Sequence, residues 1–149
     1  MLVNCVVLAE QILTQVKQDI EFLVKRPPVL NVLLIGNKDD SVIYVKKKIK
    51  TARRVGTHTH LCSFVTYWPT IGIKINLEQL PSYIKQQYVE NLIDNWNRDT
   101  EVDGIMVQLP MVADIDEQAI VSRISLQKDV DGLNPLNLAR YSLFNTTVR

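Results

Sequence analysis

The sequence predicts an α/β fold, a single domain of three layers in which helices cover both faces of a mostly parallel sheet. Short apolar runs alternate along the chain with segments of helical periodicity, which is the order expected of such a sheet. The 149 residues are 46% hydrophobic and 22% charged, as is ordinary for a globular domain that buries its own core. We therefore take residues 1–149 as one domain.

The first half of the chain contains two predicted helices around a predicted strand. Apolar residues recur three and four positions apart from about Asn4 to Lys25, which indicates a helix that ends before two prolines. VLNVLLIG, from Val29 to Gly36, is the short apolar run expected of a strand buried on both faces. After a polar turn, a second helix is predicted from Ser41 to about Val55.

The second half continues the alternation. A strand is predicted from about His58 to Thr66, followed by a long connection that merges into a helix ending near Trp96. DGIMVQLP, from Asp103 to Pro110, is predicted to be a third buried strand. A last helix is predicted in DIDEQAIVSRI, where Asp114 and Glu117 have the spacing of a capping box.

The charge and the apolar segments exclude several classes of function. Seventeen basic and sixteen acidic residues give a net charge of +1, which argues against a nucleic-acid-binding protein. The apolar N-terminus lacks a preceding basic residue and is too short for a membrane span, so a cytoplasmic protein is predicted, with an organellar location as the open alternative. No cluster of His and Cys has metal-ligand spacing, so no metal is predicted.

Three polar segments follow predicted strands or helices at one edge of the sheet. They are GNKDDSVIYVKKK, QLP and QKDVDGLNP. Ligands of open parallel sheets bind beyond the carboxyl ends of the strands. We expect the three segments to meet at this edge and to form a binding site there.

The lysine-rich segment YVKKKIK separates into two groups when it is placed on a helix. Ser41, Tyr44 and Lys48 are neighbours on a stripe beside the apolar one, because residues three or four apart are adjacent on a helix. Partial burial would lower the pKa of a lysine in that position and suit it to proton transfer. The other lysines, predicted to be solvated, are Lys46, Lys47 and Lys50.

Gln108 and Asp131 are further candidates, each with a structural alternative. Gln108 stands in an apolar run, where its amide needs a partner; it is either a satisfied strand-end residue or a hydrogen-bonding group of the site. Asp129 and Asp131 precede Gly132, where aspartates commonly close turns. The functional alternative is a carboxylate that accepts two parallel N–H bonds from a planar heterocycle such as a pterin.

Three stretches, in this order, resemble the bifunctional methylenetetrahydrofolate dehydrogenase/methenyltetrahydrofolate cyclohydrolase (FolD-type) family. They are IGNKDDSVIYVKKKIKTARRVG, VDGIMVQLP and KDVDGLNPLN. The resemblance implies that Lys48 is the central catalytic group, assisted by Gln108, and that Tyr44 stacks on the folate. It also implies that Asp131 binds the pterin and that Ser41 lies near the substrate. The substrate would be a tetrahydrofolate derivative, oxidised with NADP or NAD and then hydrolysed, in an enzyme that is usually a homodimer.

The sequence also departs from the family pattern. The family's Rossmann domain for NAD(P) has no counterpart in these residues, and no G-x-G-x-x-G stretch occurs, so no cofactor-binding residue is predicted. Residues 64–80 are interpreted as an atypical insertion around Trp68, and residues 138–149 as a tail or the start of an interdomain linker. Ala139 replaces the glycine that is usual in the family.

Two functions agree with this pattern. The first is one-carbon interconversion of tetrahydrofolate by a catalytic domain, with hydrolysis of methenyltetrahydrofolate to formyltetrahydrofolate as the activity most compatible with the chain. Dehydrogenation by these residues alone is not expected, since hydride transfer requires a cofactor held against the substrate. The alternative is a non-catalytic folate-binding or regulatory module.

Overall fold

The structure, a computed structural model, describes residues 5–23, 26–37, 43, 45–47, 59–60, 72–111 and 114–146. None of the helices in these parts of the chain is both long enough and apolar enough to cross a membrane.

The described residues form a four-stranded sheet in the order β2-β3-β1-β4. The strands are β1 (Val29–Ile35), β2 (Thr59–His60), β3 (Lys74–Leu80) and β4 (Gly104–Val107). Every neighbouring pair is parallel. Parallel strands require crossover connections, and one helix lies in the connection from β3 to β4, which flank β1 on either side. The predicted α/β class with a parallel sheet is confirmed.

Four helices are described over their length: α1 (Cys5–Leu23), α2 (Gln86–Arg98), α3 (Glu117–Arg123) and α4 (Pro135–Thr146). Ile43 and residues 45–47 are helical too, inside the predicted second helix. The helix ending near Trp96 and the strand within Asp103–Pro110 are confirmed, each with slightly different bounds. The predicted strand from His58 to Thr66 is described only at Thr59 and His60, and the rest of it lies outside the described residues.

The core lies on both faces of the sheet, because side chains of a strand point alternately to opposite faces. On one face Leu33 of β1 packs in a cluster with Val89 and Ile93 of α2. On the other face Val32 packs in a cluster that includes Val45 of the lysine-rich helix. Helices thus cover both sides of the sheet, which confirms the three layers.

Two elements of the structure were not predicted from the sequence. Lys74–Leu80 form the inner strand β3, although they were interpreted as part of a connection. Only Ile75 and Leu80 of this strand are buried, so KINLEQL lacks the continuous apolar run that marks β1. Pro135–Thr146 form α4 where a tail or linker was expected from residue 138. Whether residues 64–80 are an insertion stays a prediction.

The cap of α3 also differs from the prediction. Asp116, not Asp114, is the N-cap, and its Oδ1 accepts a hydrogen bond from the Ala119 amide at 3.0 Å. Glu117 does not complete a capping box with Asp114, because its Oε1 accepts from the Met111 amide instead. Asp114 is exposed.

Candidate functional site

The ends of β1 and β4 bring the site together. These two strands are parallel neighbours, so their carboxyl ends lie at the same edge of the sheet. The Gln108 amide, just after β4, donates to the Leu33 carbonyl of β1 at 2.8 Å. Gly36, just after β1, has φ of 82°, a conformation that glycine adopts without steric cost, and its amide donates to Leu80 O at 2.8 Å. The predicted site edge is therefore held by backbone hydrogen bonds.

The side-chain amide of Gln108 is only half satisfied by the described residues. Its Nε2 donates to the neighbouring Leu109 carbonyl at 2.7 Å. Its Oε1 is buried and has no hydrogen-bond partner among them. A buried acceptor left without a donor costs about 1–3 kcal/mol. Such an atom is unusual in a folded protein, and it marks the place where a donor is needed.

Gln108 and Asp131 share one cavity. It has a volume of about 340 Å³ and is lined by Val107, Gln108, Leu109, Asp131 and Leu133. The peptide bond between Leu109 and Pro110, at the same edge, is cis. Two candidates taken from distant segments of the sequence thus meet, as predicted from the strand ends.

A larger concavity of about 410 Å³ runs along α1, with Val7 and Thr14 in its wall. Its described wall comes from that helix alone, and Glu10 is its one ionisable residue. Pockets that bind small molecules combine apolar walls with convergent polar groups. The smaller cavity at the sheet edge meets this description better.

The turn that carries Asp131 is closed by Asp129. The Asp129 carboxylate accepts hydrogen bonds from the Leu133 and Asn134 amides, at 3.3 and 2.9 Å, and from the Asn137 side chain at 2.9 Å. Gly132 has φ of 65° in this turn. For Asp129 the turn-forming alternative is therefore the correct one, whereas Asp131 is exposed and lines the cavity.

The remaining predicted site residues belong to the lysine-rich segment. Ser41, Tyr44, Lys48 and the solvent-facing candidate Lys50 lie outside the described residues. Val45 is buried, with 2% of its surface exposed, as its place on the apolar stripe predicts. Lys46 and Lys47 are exposed, which confirms the prediction for these two.

The charged pairs with perturbed pKa values do not line the cavity. The pKa of Asp94 is lowered by its hydrogen bonds from Arg123, both at 2.8 Å. The pKa of Arg26 is raised by its hydrogen bonds to Asp103, at 2.8 and 3.0 Å. Both pairs join separate segments of the chain. Within the described ranges, no three His, Cys, Asp or Glu residues are grouped as a metal site would require.

Comparison with known proteins identifies a family whose sequences resemble this chain. The sequence profile of the family described as tetrahydrofolate dehydrogenase/cyclohydrolase, catalytic domain, matches residues 3–70 and 67–131. The bifunctional protein FolD of Sulfurihydrogenibium sp. (strain YO3AOP1) is 40% identical over 136 residues. That match covers 89% of this chain and 42% of the relative, so the chain spans about two-fifths of the relative's length.

Solved structures show the same similarity in three dimensions. The bifunctional FolD methylenetetrahydrofolate dehydrogenase/cyclohydrolase of Campylobacter jejuni superposes with a TM-score of 0.78 at 31% identity, over 92% of this chain and 44% of that one. The corresponding Trypanosoma brucei enzyme, solved with NADP and an inhibitor, gives 0.74 at 26% identity, over 94% and 43% of the two chains.

Proposed function

The chain belongs to the tetrahydrofolate dehydrogenase/cyclohydrolase family, as a catalytic domain of the FolD type, and from this premise we propose that it hydrolyses methenyltetrahydrofolate to formyltetrahydrofolate with Lys48 as the central group. In this proposal Gln108 holds the lysine, Tyr44 stacks on the folate, Asp131 binds the pterin and Ser41 lies beside the substrate. Folate specificity, the individual roles and the family-type homodimer are all parts of the proposal.

The buried Oε1 of Gln108, which has no hydrogen-bond partner among the described residues, is the observation that carries the proposal. A lysine ammonium offers three donors and no acceptor, so it complements this atom. Val45, three residues before Lys48 in the sequence, is buried against the sheet whose edge holds Gln108. Helical periodicity puts residues three apart on adjoining positions, and we therefore expect Lys48 to point toward this edge.

Hydrolysis at such a site requires binding, a water molecule and proton transfers to and from the reacting atoms. The bridging methenyl carbon is a cationic, amidinium-like centre, to which the oxygen of water adds with loss of one proton, so that the carbon carries a hydroxyl group. One of the two C–N bonds then breaks, its nitrogen takes up a proton, and the hydroxyl group gives up its proton to leave a formyl group, so that one proton is released overall. Lys48, held by Gln108, is the group proposed to relay the proton between the water and the nitrogen.

Asp131 supplies the other end of the proposed substrate contact. A pterin presents a guanidine-like edge with two parallel N–H donors, and a carboxylate accepts such a pair in bidentate fashion. Asp131 lines the same cavity as Gln108, so one substrate of elongated shape would reach both groups.

The residues of this sequence do not match the dinucleotide-binding pattern that a nicotinamide cofactor requires. The sequence has five glycines, and no two of them form the G-x-G core of a dinucleotide-binding loop. The positions are Gly36, Gly56, Gly72, Gly104 and Gly132. These residues do not fit a pyrophosphate cradle, and we assign no step of hydride transfer to them.

The proposal is tested by following methenyltetrahydrofolate by absorbance with the wild-type chain and with Lys48→Met. We expect hydrolysis above background by the wild type and loss of that excess in Lys48→Met. Lys46→Met is the matched control, because Lys46 is an exposed lysine on the same helix and should leave the rate unchanged. Equal rates at background for wild type and Lys48→Met would contradict the enzymatic proposal. Retained binding of tetrahydrofolate would then identify the non-catalytic folate-binding module.

A further inference from the structure

Asp129, which closes the turn, is separated by one residue from Asp131, which lines the cavity. The Asp129 carboxylate uses both of its oxygens, Oδ1 for the Leu133 amide and Oδ2 for the Asn134 amide and the Asn137 side chain. Each of these donors lies after Gly132, so their hydrogen bonds fold the chain back around residues 130–132. The conformation of the segment that contains Asp131 is therefore fixed by Asp129.

The turn is also joined to the rest of the fold at its start. The Ile105 amide of β4 donates to Lys128 O at 2.7 Å, and the Lys128 ammonium donates to Trp96 O and Asp99 O, at 2.9 and 2.7 Å, at the end of α2. Val130 packs toward β4, where Gly104 leaves room for it. Residue 129 thus faces the turn, residue 130 the sheet and residue 131 the cavity.

The chemistry of the network requires a carboxylate at position 129. All three groups that face it are N–H donors, and a carboxylate is an acceptor at both oxygens. An asparagine in its place has one acceptor oxygen and would turn an NH₂ group toward further donors. The isosteric change Asp129→Asn consequently breaks the network while it preserves the shape of the side chain.

We propose that Asp129 is a positioning residue that determines specificity, because it holds the Asp131 carboxylate where it accepts the paired N–H groups of the substrate's heterocycle. This inference rests on the proposed folate function and names the residue that makes its pterin contact selective. Asp129 acts through Asp131 and does not touch the substrate.

The test measures a ratio of affinities, which a general loss of folded protein would leave unchanged. Equilibrium dissociation constants are measured for tetrahydrofolate and for the same compound without its exocyclic amino group, which removes one of the paired N–H donors. We expect the wild type to prefer tetrahydrofolate by about tenfold to a hundredfold, the usual contribution of a hydrogen bond to a charged group. Asp131→Asn should reduce this preference to nearly one.

Asp129→Asn is expected to reduce the preference almost as far as Asp131→Asn does. Asp94→Asn is the matched control, since it also changes an aspartate that accepts two or more N–H bonds, but at a position that does not line the cavity. It should retain the wild-type ratio even if it lowers thermal stability. Asn137→Ala removes one donor to Asp129 and should give an intermediate ratio, which keeps the test decisive if Asp129→Asn does not fold.

The possible failures are distinguishable. If the wild type has no measurable affinity for tetrahydrofolate, the folate assignment is wrong, and the specificity role proposed for Asp129 is wrong as well. If the wild type binds and discriminates while folded Asp129→Asn keeps the same ratio, or loses affinity for both compounds equally, the positioning role alone is overturned. If Asn137→Ala is the only variant that folds, an unchanged ratio there overturns it as well.

Discussion

At the scale of single residues, Gly104 shows how a missing side chain permits a close contact. A Cβ atom at this position would lie 2.8 Å from Val130 Cγ1 and 3.2 Å from Leu30 Cδ1. At 2.8 Å one of the two groups must shift, and Leu30 belongs to the core strand β1, so the added methyl group would displace either the turn or the sheet. The contact couples the start of β4 to the turn that carries Asp131.

Gly104→Ala should lower the free energy of unfolding by about 1–3 kcal/mol, the usual cost of overpacking. Urea denaturation of the variant measures this value. Val130→Ala removes the nearer of the two clashing atoms, so the double variant should lose less than the sum of the single changes. Strict additivity would show that the steric explanation is wrong.

Gly132 differs from Gly104, because its backbone and not its surroundings requires glycine. A Cβ atom there would meet nothing within 4 Å, but φ is 65°. Gly132→Ala should therefore cost about 1–2 kcal/mol through the left-handed conformation alone. Urea denaturation again measures the effect, and here Val130→Ala should give no relief. Relief by that change would indicate a displaced turn and contradict the assignment.

At the scale of elements, α2 and α3 are joined by the pair of Asp94 and Arg123, whose hydrogen bonds lower the pKa of Asp94 below its ordinary value of 3.8. A carboxylate with a lowered pKa in the folded state contributes stability that is present above its unfolded pKa and lost as pH falls through its folded pKa. The contribution should therefore be complete at neutral pH and disappear in acid below about pH 4.

The free energy of unfolding of Asp94→Asn should consequently lie below that of the wild type at neutral pH, and the difference should become smaller as pH falls. The free energy of unfolding, measured in urea at pH 7 and at pH 3, should differ more between the two proteins at pH 7. In an Arg123→Gln background the same change should have little pH dependence, because the partner that lowers the pKa is gone. A difference that is independent of pH in the original background would refute the role of the pair.

The N-terminus of α3 allows the two candidate caps to be compared directly. Asp116→Ala removes the side chain that accepts from Ala119 and should cost about 0.5–2 kcal/mol. Asp114→Ala, at the position that the sequence pattern favoured, should be nearly neutral because that residue is exposed and is not the N-cap. Chemical denaturation of both variants decides between them, and a larger loss for Asp114→Ala would reverse the assignment.

Two of the predicted elements, β1 and α2, pack uniformly along their length. β1 is buried through residues 31–35 and α2 places Val89 and Ile93 on one face, so apolar runs and helical spacing reveal them. β3 and α4 could not be found this way. β3 buries two of its seven residues, and α4 exposes Leu136, Tyr141 and Leu143, so neither shows a pattern tied to a core.

At the scale of the whole molecule, the location of the candidate site could be predicted from the sequence, but its hydrogen bonds could not. The strand-end rule brings Gln108 and Asp131 to one edge, where they line the same cavity. Two features depend on the direction of individual hydrogen bonds, which spacing along a sequence does not encode. They are the network of Asp129 and the Oε1 of Gln108, for which the described part of the chain offers no partner. The catalytic assignment of Lys48 rests on the family and stays a prediction.

The proposed activity concerns the part of the family enzyme that these 149 residues match. The chain covers 42% of the FolD relative from Sulfurihydrogenibium, and no step of hydride transfer is assigned to its residues. Hydrolysis of methenyltetrahydrofolate needs water and proton transfer but no cofactor, whereas dehydrogenation needs a nicotinamide held against the substrate. We therefore expect the chain to catalyse the first reaction, at a rate unaffected by NADP or NAD, and not the second.

The hydrolysis should be slow. The FolD relative has further residues beyond the 42% of its length that this chain matches, and misplacement of a substrate alone costs about a hundredfold in rate. Parallel assays of the purified chain and a full-length FolD relative, with methenyltetrahydrofolate and with methylenetetrahydrofolate plus NADP, measure both activities. Formation of NADPH by the chain would contradict the expectation for dehydrogenation. Hydrolysis as fast as that of the relative would show that these residues alone align the substrate.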